Sequence, residues 1–316
     1  MPKFKIRHIT RYNYEVPVRD SANQIILYPV RDEFQEVVQH LITVTGNVPI
    51  EVHADYFGNL VGTFTHSHSH QNLVIDSNLV VVTRSRAMPA DNQGQESQWA
   101  ELEKLKSQFK FIDFLKHDLF DGVAEAISVA RQVRARNGTP LASATQLCSF
   151  VFDNFSYKKG ITTVESTLDE IWKIKTGVCQ DFAQILLALL RLIDIPARYV
   201  SGYICPNKNG MRGEGATHAW VEVYIPFYGW LGIDPTNNCA VNDAHVRLAV
   251  GRNFSDCSPV KGTYRGMSEH TLEVAVSVSY EDGHTMEATN EVTDHETVHS
   301  LSRNSYHRHQ EIQMQQ

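Results

Sequence analysis

Apolar positions change their period along this chain, and the changes divide it. Over residues 1–95 the short apolar runs suit strands: Phe4-Lys5-Ile6-Arg7 alternates, and Gln24–Tyr28, Val37–Val44 and Leu79–Val82 give others. Asp55-Tyr56-Phe57-Gly58-Asn59 supplies turn chemistry between two of them. A β-sandwich-like N-terminal domain is the expected form. The polar stretch Asp91–Gln98, DNQGQESQ, reads as a linker. From Trp99 the spacing becomes three and four: Trp99, Leu102, Leu105, Phe109 and Ile112 predict one helix, and Val123, Ile127, Ala130 and Val133 a second, ended at Arg136-Asn137-Gly138. Pro140 opens a third over Leu141–Phe155, whose stripe Leu141, Ala144, Leu147 and Val151 makes Cys148 most economically a core residue. Thr167 and Glu170 have capping-box spacing for a short helix through Trp172, an indole that reads equally as cleft wall or packing. Leu272–Val278 alternates and forms a last strand. Beyond residue 280 the chain is polar. The expected organisation is α+β: a β-rich domain at 1–95, a unit of helices on an antiparallel sheet at 96–280 that includes the last strand, and a polar tail at 281–316.

The chemistry gathers around Thr176–Pro196, TGVCQDFAQILLALLRLIDIP. Phe182, Ile185, Leu186, Leu189, Leu190 and Ile193 mark one face of a helix that Pro196 stops, so Cys179 falls in its first turn. Unpaired N–H groups and the helix dipole favour a thiolate there, and thiols so placed titrate at about 3.5–7.5 instead of about 8.5. Taken alone, Cys179 reads more readily as a small buried hydrophobe. Further on, Thr217–Ile225 alternates with His218, Trp220, Glu222 and Tyr224 on one face. A turn through Pro226–Gly229 leads to the strand Trp230–Asp234, closed by Pro235. The resulting hairpin brings Asp234 beside His218 or one rung diagonal from it, within side-chain reach. A carboxylate can hold an imidazole's tautomer and the imidazole can deprotonate a thiol, so Cys179, His218 and Asp234 form a nucleophile, base and orienter. Asp181 and Glu222 are rival carboxylates. Glu222 lies two repeats along the strand, about 13 Å from His218, and Asp181 is placed to serve local N–H groups. The loop Pro206–Gly215, with three glycines, precedes the histidine strand and reads either as a border of the cleft or as a surface connection.

Composition narrows the classes. The 316 residues are 42% hydrophobic and 21% charged, as in a soluble globular protein with ample core. A formal charge of −7 with no basic run argues against nucleic acid. The start, MPKFKIRHIT, lacks the apolar run of a secretory signal, and no stretch approaches 18 uninterrupted apolar residues, so no membrane role is expected. Cys148, Cys179, Cys205, Cys239 and Cys257 are an odd, scattered set without CxxC spacing, read as reduced thiols of a cytoplasmic protein. His66, His68 and His70 would share a strand face, but Ser67, Ser69 and Gln71-Asn72 favour a solvated loop or edge over a metal site. The tail histidines His284, His295, His299, His307 and His309 are scattered in polar sequence and predict nothing specific. No cofactor and no metal is expected.

The segments GVCQDFA, IPARYVSGY, THAWVEVY and GWLGIDPTN resemble the core of the transglutaminase-like superfamily of cysteine enzymes. DYFGN at Asp55–Asn59 is similar to the β-rich domain preceding that core in bacterial members, and HVRLAVGRNFSDCSPVKGTYRG at His245–Gly266 to the segment following it. The resemblance covers about 280 residues. It implies a papain-like core and places the family's catalytic cysteine, histidine and aspartate on Cys179, His218 and Asp234. Asn253 stands where the family has an aspartate in a GRDY-like run. The expected activity is thiol-dependent amide hydrolysis on a peptide or amide substrate, through a thioester on Cys179. The alternatives are protein-glutamine acyl transfer to an amine and a binding module that keeps the fold without turnover. Absence of a DxDxDG calcium loop or a legible amine site favours hydrolysis. One oxyanion donor is expected to be the Cys179 N–H, with Gln180 and Tyr157 as candidates for the second.

Overall fold

The structure is a computed structural model describing residues 1–163, 166–205, 210–213, 215–280 and 292–294; the tail histidines lie outside them. The elements in chain order begin with β1 (Lys3–Ile25), β2 (Gln35–Val44), β3 (Glu51–Ala54), β4 (Leu60–His66) and β5 (His70–Thr83). Helices α1 (Gln95–Leu105), α2 (Phe109–Leu115), α3 (Val123–Asn137) and α4 (Pro140–Asn154) follow, then β6 (Ser156–Tyr157), α5 (Leu168–Ile174), β7 (Thr176–Gly177) and α6 (Cys179–Arg191). The chain continues through β8 (Ala197–Ile204), β9 (Ala216–Ile225), β10 (Gly229–Asp234), β11 (Cys239–Ala240), β12 (His245–Gly251), α7 (Phe254–Cys257), β13 (Val260–Arg265), β14 (His270–Tyr280) and β15 (Val292–Asp294). It divides into two units, Arg84–Cys257 and Pro2–Thr83 with the chain from Ser258 on.

The β unit is organised on β1. Its first half pairs antiparallel with β14 and β5, and its second half with β4 and β13. Phe4 and Ile6 point inward with His8 and Thr10 behind them, the alternation read from sequence. Burial holds His8 neutral, its pKa lowered to about 4. Asp55 closes the β3–β4 turn by accepting from the Phe57 and Asn59 backbone N–H groups. The last strand corrects the sequence expectation: β14 belongs to this unit and not to the helical one. It runs along β1 from Tyr280 opposite Phe4 to His270 opposite Tyr14. This edge of β1 would otherwise present unpaired backbone groups, and a strand from the far end of the chain covers it. The N-terminal segment of the β unit ends at Thr83, short of the expected residue 95.

In the other unit α6 is the central element. Phe182, Ile185, Leu186, Leu189 and Leu190 are buried as their spacing predicts, and so are Ala183, Leu187 and Ala188. A helix apolar all round is a core helix, not one with a solvent face. Each large apolar side chain so buried contributes about 1.5–3 kcal/mol. Arg191 ends the helix with its guanidinium donating to the carbonyls of Ala197 and Arg252, which ties the helix end to β8. The sheet beside α6 runs β11-β10-β9-β8-β12, all antiparallel.

Two helical expectations change in detail. Gln95–Gln98, assigned to the linker, forms the first turn of α1, because the buried Gln98 amide donates to Asp91 and to the Gln93 carbonyl. The single helix expected from Trp99 to Ile112 is broken at Lys106–Gln108. Its second part buries Phe111 and Phe114, leaving Phe109 and Ile112 exposed. Thr167 and Glu170 make the capping box, and Trp172 is a packing residue, with Phe120 and Phe155 around its ring and its N–H donated to Glu125. No helix among the described residues is long and apolar enough to cross a membrane, which says nothing of β-barrels.

Candidate active site

The β9–β10 hairpin sets the geometry. Its register pairs Ile233 with Val221, so Asp234 falls one rung diagonal from His218. The two side chains meet with Nε2 of His218 2.8 Å from Oδ2 of Asp234, both fully buried. Cys179 opens α6 and is half-buried. Its thiol lies near enough to the same imidazole to add to the upward pull that Asp234 exerts on that ring's pKa, with no hydrogen bond formed at Nδ1 among the described residues. The three residues singled out in the sequence are thus brought together, from one helix start and two adjacent strands.

Neither rival carboxylate reaches the imidazole. Oδ2 of Asp181 accepts from the Val178 backbone N–H at 2.7 Å and from the Thr162 hydroxyl at 2.6 Å, fastening the turn before Cys179 to the start of α6. Glu222 is held by Arg198 on one oxygen and Arg247 on the other, each at 2.7 Å. Burial works against its charge, but the two guanidinium groups prevail and lower its pKa to about 2.

Asp234 is a hub. Oδ1 accepts from the backbone N–H groups of Thr236 (2.8 Å) and Asn237 (3.3 Å). Oδ2 accepts from His218, from the Asn237 side-chain amide (2.7 Å) and from Nε2 of His245 (3.3 Å). Burial penalises the carboxylate, yet the histidines hold its pKa far below the usual range. For His218 burial likewise opposes the charged form, and Asp234 together with Cys179 outweighs it, so the pKa is raised. His218, Asp234 and His245 place three ligating atoms within 4.8 Å of one another. With both Asp234 oxygens already accepting from five donors, the arrangement is a hydrogen-bond hub.

The far side of the His218 ring is covered by a strap. Nδ1 makes no well-formed hydrogen bond among the described residues. Gly213, at φ +79°, lies against it so closely that a Cβ there would stand 3.2 Å from Nδ1. The strap is anchored where Asn237 accepts from the Arg212 backbone N–H and donates to its carbonyl, while the Arg212 guanidinium lies over the Phe152 ring. The loop before the histidine strand therefore borders the site; Pro206–Lys208, Asn209 and Glu214 are outside the described residues. Gly202, paired with His218 across β8, is needed for another reason: a Cβ would overlap the Val246 carbonyl and the Trp220 ring. Gln180 lies in the first turn of α6 and Tyr157 sets its ring edge-on to Phe182.

Sequence reasoning did not single out Asn237 or His245. Asn237 stands in the Asp-Pro-Thr-Asn turn, where an Asx side chain turning back on the chain is a readable signal. His245 carries no such signal. Elsewhere, the His66 and His70 rings lie tilted to one another with centroids 4.3 Å apart, and both use Nδ1 against the His68 carbonyl, at the corner between β4 and β5. Asn253 accepts from the Ser255 backbone N–H at 3.0 Å, a cap for α7 that an aspartate could also supply.

A buried histidine–aspartate pair thus lies beside a helix-start cysteine, on helices packed against an antiparallel sheet. Residues 127–235 match the family model of the transglutaminase-like superfamily, and residues 4–82 that of the bacterial transglutaminase-like N-terminal region. An uncharacterised Mycobacterium leprae protein is 30% identical over 283 residues, covering 88% of this chain and 99% of its own. This chain belongs to the transglutaminase-like superfamily. A Pseudomonas aeruginosa protein-glutamine gamma-glutamyltransferase is 32% identical over 127 residues, 38% of this chain and 19% of that protein. A crystal structure from Cytophaga hutchinsonii, named as a putative cysteine protease, superposes with a TM-score of 0.69 at 20% identity, over 90% of this chain and 92% of its own. That likeness is one of fold.

Proposed function

We propose that this protein is a cysteine enzyme that cleaves amide bonds, with Cys179 as nucleophile, His218 as acid–base and Asp234 as orienter. The observation that carries the reading is the buried imidazole: Nε2 is bound to Asp234 at 2.8 Å, and Cys179 opens α6, the helix that packs against the histidine strand β9. Nε2–H donates to Asp234, so Nδ1 is the nitrogen that takes the thiol proton. The sulfur attacks the amide carbonyl carbon and the C=O pair moves onto oxygen. The Cys179 N–H lies in the first turn of α6 with no intrahelical acceptor and is placed to receive that oxyanion. The proton on Nδ1 passes to the leaving nitrogen as the C–N bond breaks, leaving a thioester. Water then gives a proton to Nδ1 and attacks the thioester; the acid departs and the proton returns to sulfur.

An amine in place of water would make the reaction a glutamine acyl transfer. The partial likeness to a protein-glutamine gamma-glutamyltransferase supports that second reading. A peptide or small amide is the substrate class in either case. Five free cysteines and a thiol nucleophile suit a reducing compartment, and we place the enzyme in the cytoplasm.

The test is limited alkylation by iodoacetamide at pH 6, followed by peptides, small amides and glutamine–amine pairs as substrates. Cys179 is expected to be labelled well ahead of the other four thiols, and Cys179→Ala to stay folded and lose turnover on whichever substrate the wild type accepts. Equal labelling of all five thiols, or a tenth of wild-type turnover in Cys179→Ala, would remove the assignment.

A further inference from the structure

His245 opens β12, which is separated from β10 by β8 and β9 in the sheet, yet its side chain meets that of Asp234. It is fully buried, with its ring edge-on to Trp220 at 5.2 Å. Nδ1 has both the Asn242 backbone N–H and the Asn242 side-chain oxygen at 3.3 Å, while Nε2 faces Oδ2 of Asp234, a carboxylate that only accepts, so Nε2 carries a proton. Oδ2 thus divides its accepting capacity among His218, His245 and Asn237.

We propose that His245 is a positioning residue for the triad, a neutral Nε2–H donor that fixes the Asp234 carboxylate toward His218 and limits how strongly that carboxylate retains the His218 proton. The proposal rests on the triad reading above. Burial, and then the neighbouring His218 charge, lower the His245 pKa against the pull of Asp234 and of the Asn242 backbone, which favours the neutral ring. The other titratable groups here are few. Cys148 on α4 and Cys239 on β11 face Asp234, and burial pushes both thiols up, Cys239 to about 12, so they remain uncharged. Cys179 faces His218 from α6. Glu222, the next charged side chain on this face of β9, is occupied by Arg198 and Arg247, and the Arg212 guanidinium donates to the Thr236 carbonyl.

A neutral donor shared with His218 has a consequence that packing alone lacks: its removal must make Asp234 a stronger acceptor for His218. The experiment follows the His218 imidazole by 15N spectra of histidine-labelled full-length protein through pH, assigned with a His218→Gln variant. In His245→Met the His218 midpoint is expected to rise by about half to one pH unit, since one hydrogen bond to the carboxylate is gone. His245→Gln, which keeps an N–H donor, restores it. Asn242→Asp leaves His245 in place and offers its Nδ1 a carboxylate; His245 then gains charge and the His218 midpoint falls. This variant decides the matter if His245→Met does not fold. An unmoved midpoint in His245→Met, no restoration by glutamine, or a rise in Asn242→Asp each overturns the proposal. The titration needs no turnover, so it fails or succeeds separately from the selective alkylation of Cys179 that tests the function.

Discussion

Replacing Asp234 by asparagine changes one oxygen into an amide with almost no change of shape, and the five donors around it make the consequence calculable. Asparagine accepts on one side only. With its oxygen turned to His218, His245 and the Asn237 amide, its NH₂ confronts the backbone N–H groups of Thr236 and Asn237, which lose their acceptor. An orphaned buried donor costs about 1–3 kcal/mol, so two cost about 2–6 kcal/mol, a large part of a typical 5–15 kcal/mol stability. The second effect is electrostatic. His218 has its pKa raised against burial chiefly by Asp234; without that charge the buried ring falls below its ordinary 6.5.

The sign of the pH dependence follows. A raised histidine pKa contributes stability that is complete below the unfolded value of 6.5 and is lost as pH climbs through the folded value. The depressed Asp234 pKa contributes stability present above its unfolded 3.8 and lost as pH falls through the folded value. The gap between wild type and Asp234→Asn is therefore widest between about pH 4 and 6.5 and narrows in alkali. Urea denaturation at a series of pH values reads the gap, and the rate of Cys179 alkylation against pH reads the imidazole, whose upper limb should move down in the variant. Activity should fall steeply; the comparable change in a serine triad costs about 10⁴. A variant with wild-type stability across pH and an unshifted alkylation profile would refute the reasoning.

Two further outcomes can be checked with the same assays. Glu222→Gln leaves the half-buried Arg198 and Arg247 beside a neutral side chain and should lower stability by up to about 3 kcal/mol, less than for a fully buried pair, while the folded fraction keeps wild-type Cys179 alkylation; a large loss of alkylation would return Glu222 to the site. Gly213→Ala places a Cβ in a left-handed conformation 3.2 Å from Nδ1 of His218; a penalty of about 1–2 kcal/mol should lift the strap and speed alkylation of Cys179, and slower alkylation would show that the strap supports the imidazole instead.

Much of the site was legible because its signals are local. The apolar spacing of α6 fixes where Cys179 sits, and the alternation of β9 with the short Pro226–Gly229 turn fixes the hairpin and hence Asp234 near His218. What escaped depends on approaches that sequence distance hides. β14 covers β1 from more than 250 residues away. His245 reaches Asp234 from a strand two places beyond β9's own partner hairpin, through a sheet whose curl no periodicity encodes. The broken helix at Lys106–Gln108 escaped for another reason: Phe109 and Ile112 and their neighbours Phe111 and Phe114 are all apolar, so the stripe had two possible phases, and packing chose the second.

The distribution of fixed and open groups bears on the choice between water and amine. His218 and Asp234 are buried completely, and Asp234 is oriented by donors from β9, from the turn after β10 and from β12. On the proposed reading, a base so constrained reorganises little as its charge changes during reaction, which is what preorganised stabilisation requires. The same constraint removes it from any role in selecting the acceptor, since nothing about the Asp234 side of the ring can respond to the incoming molecule. Cys179, by contrast, is only half-buried, and the strap of Arg212 and Gly213 lies over the opposite nitrogen. On the proposed reading, what admits an amine or holds a water must therefore act on the Nδ1 side. Exchanging residues of the strap should alter the ratio of hydrolysis to transfer.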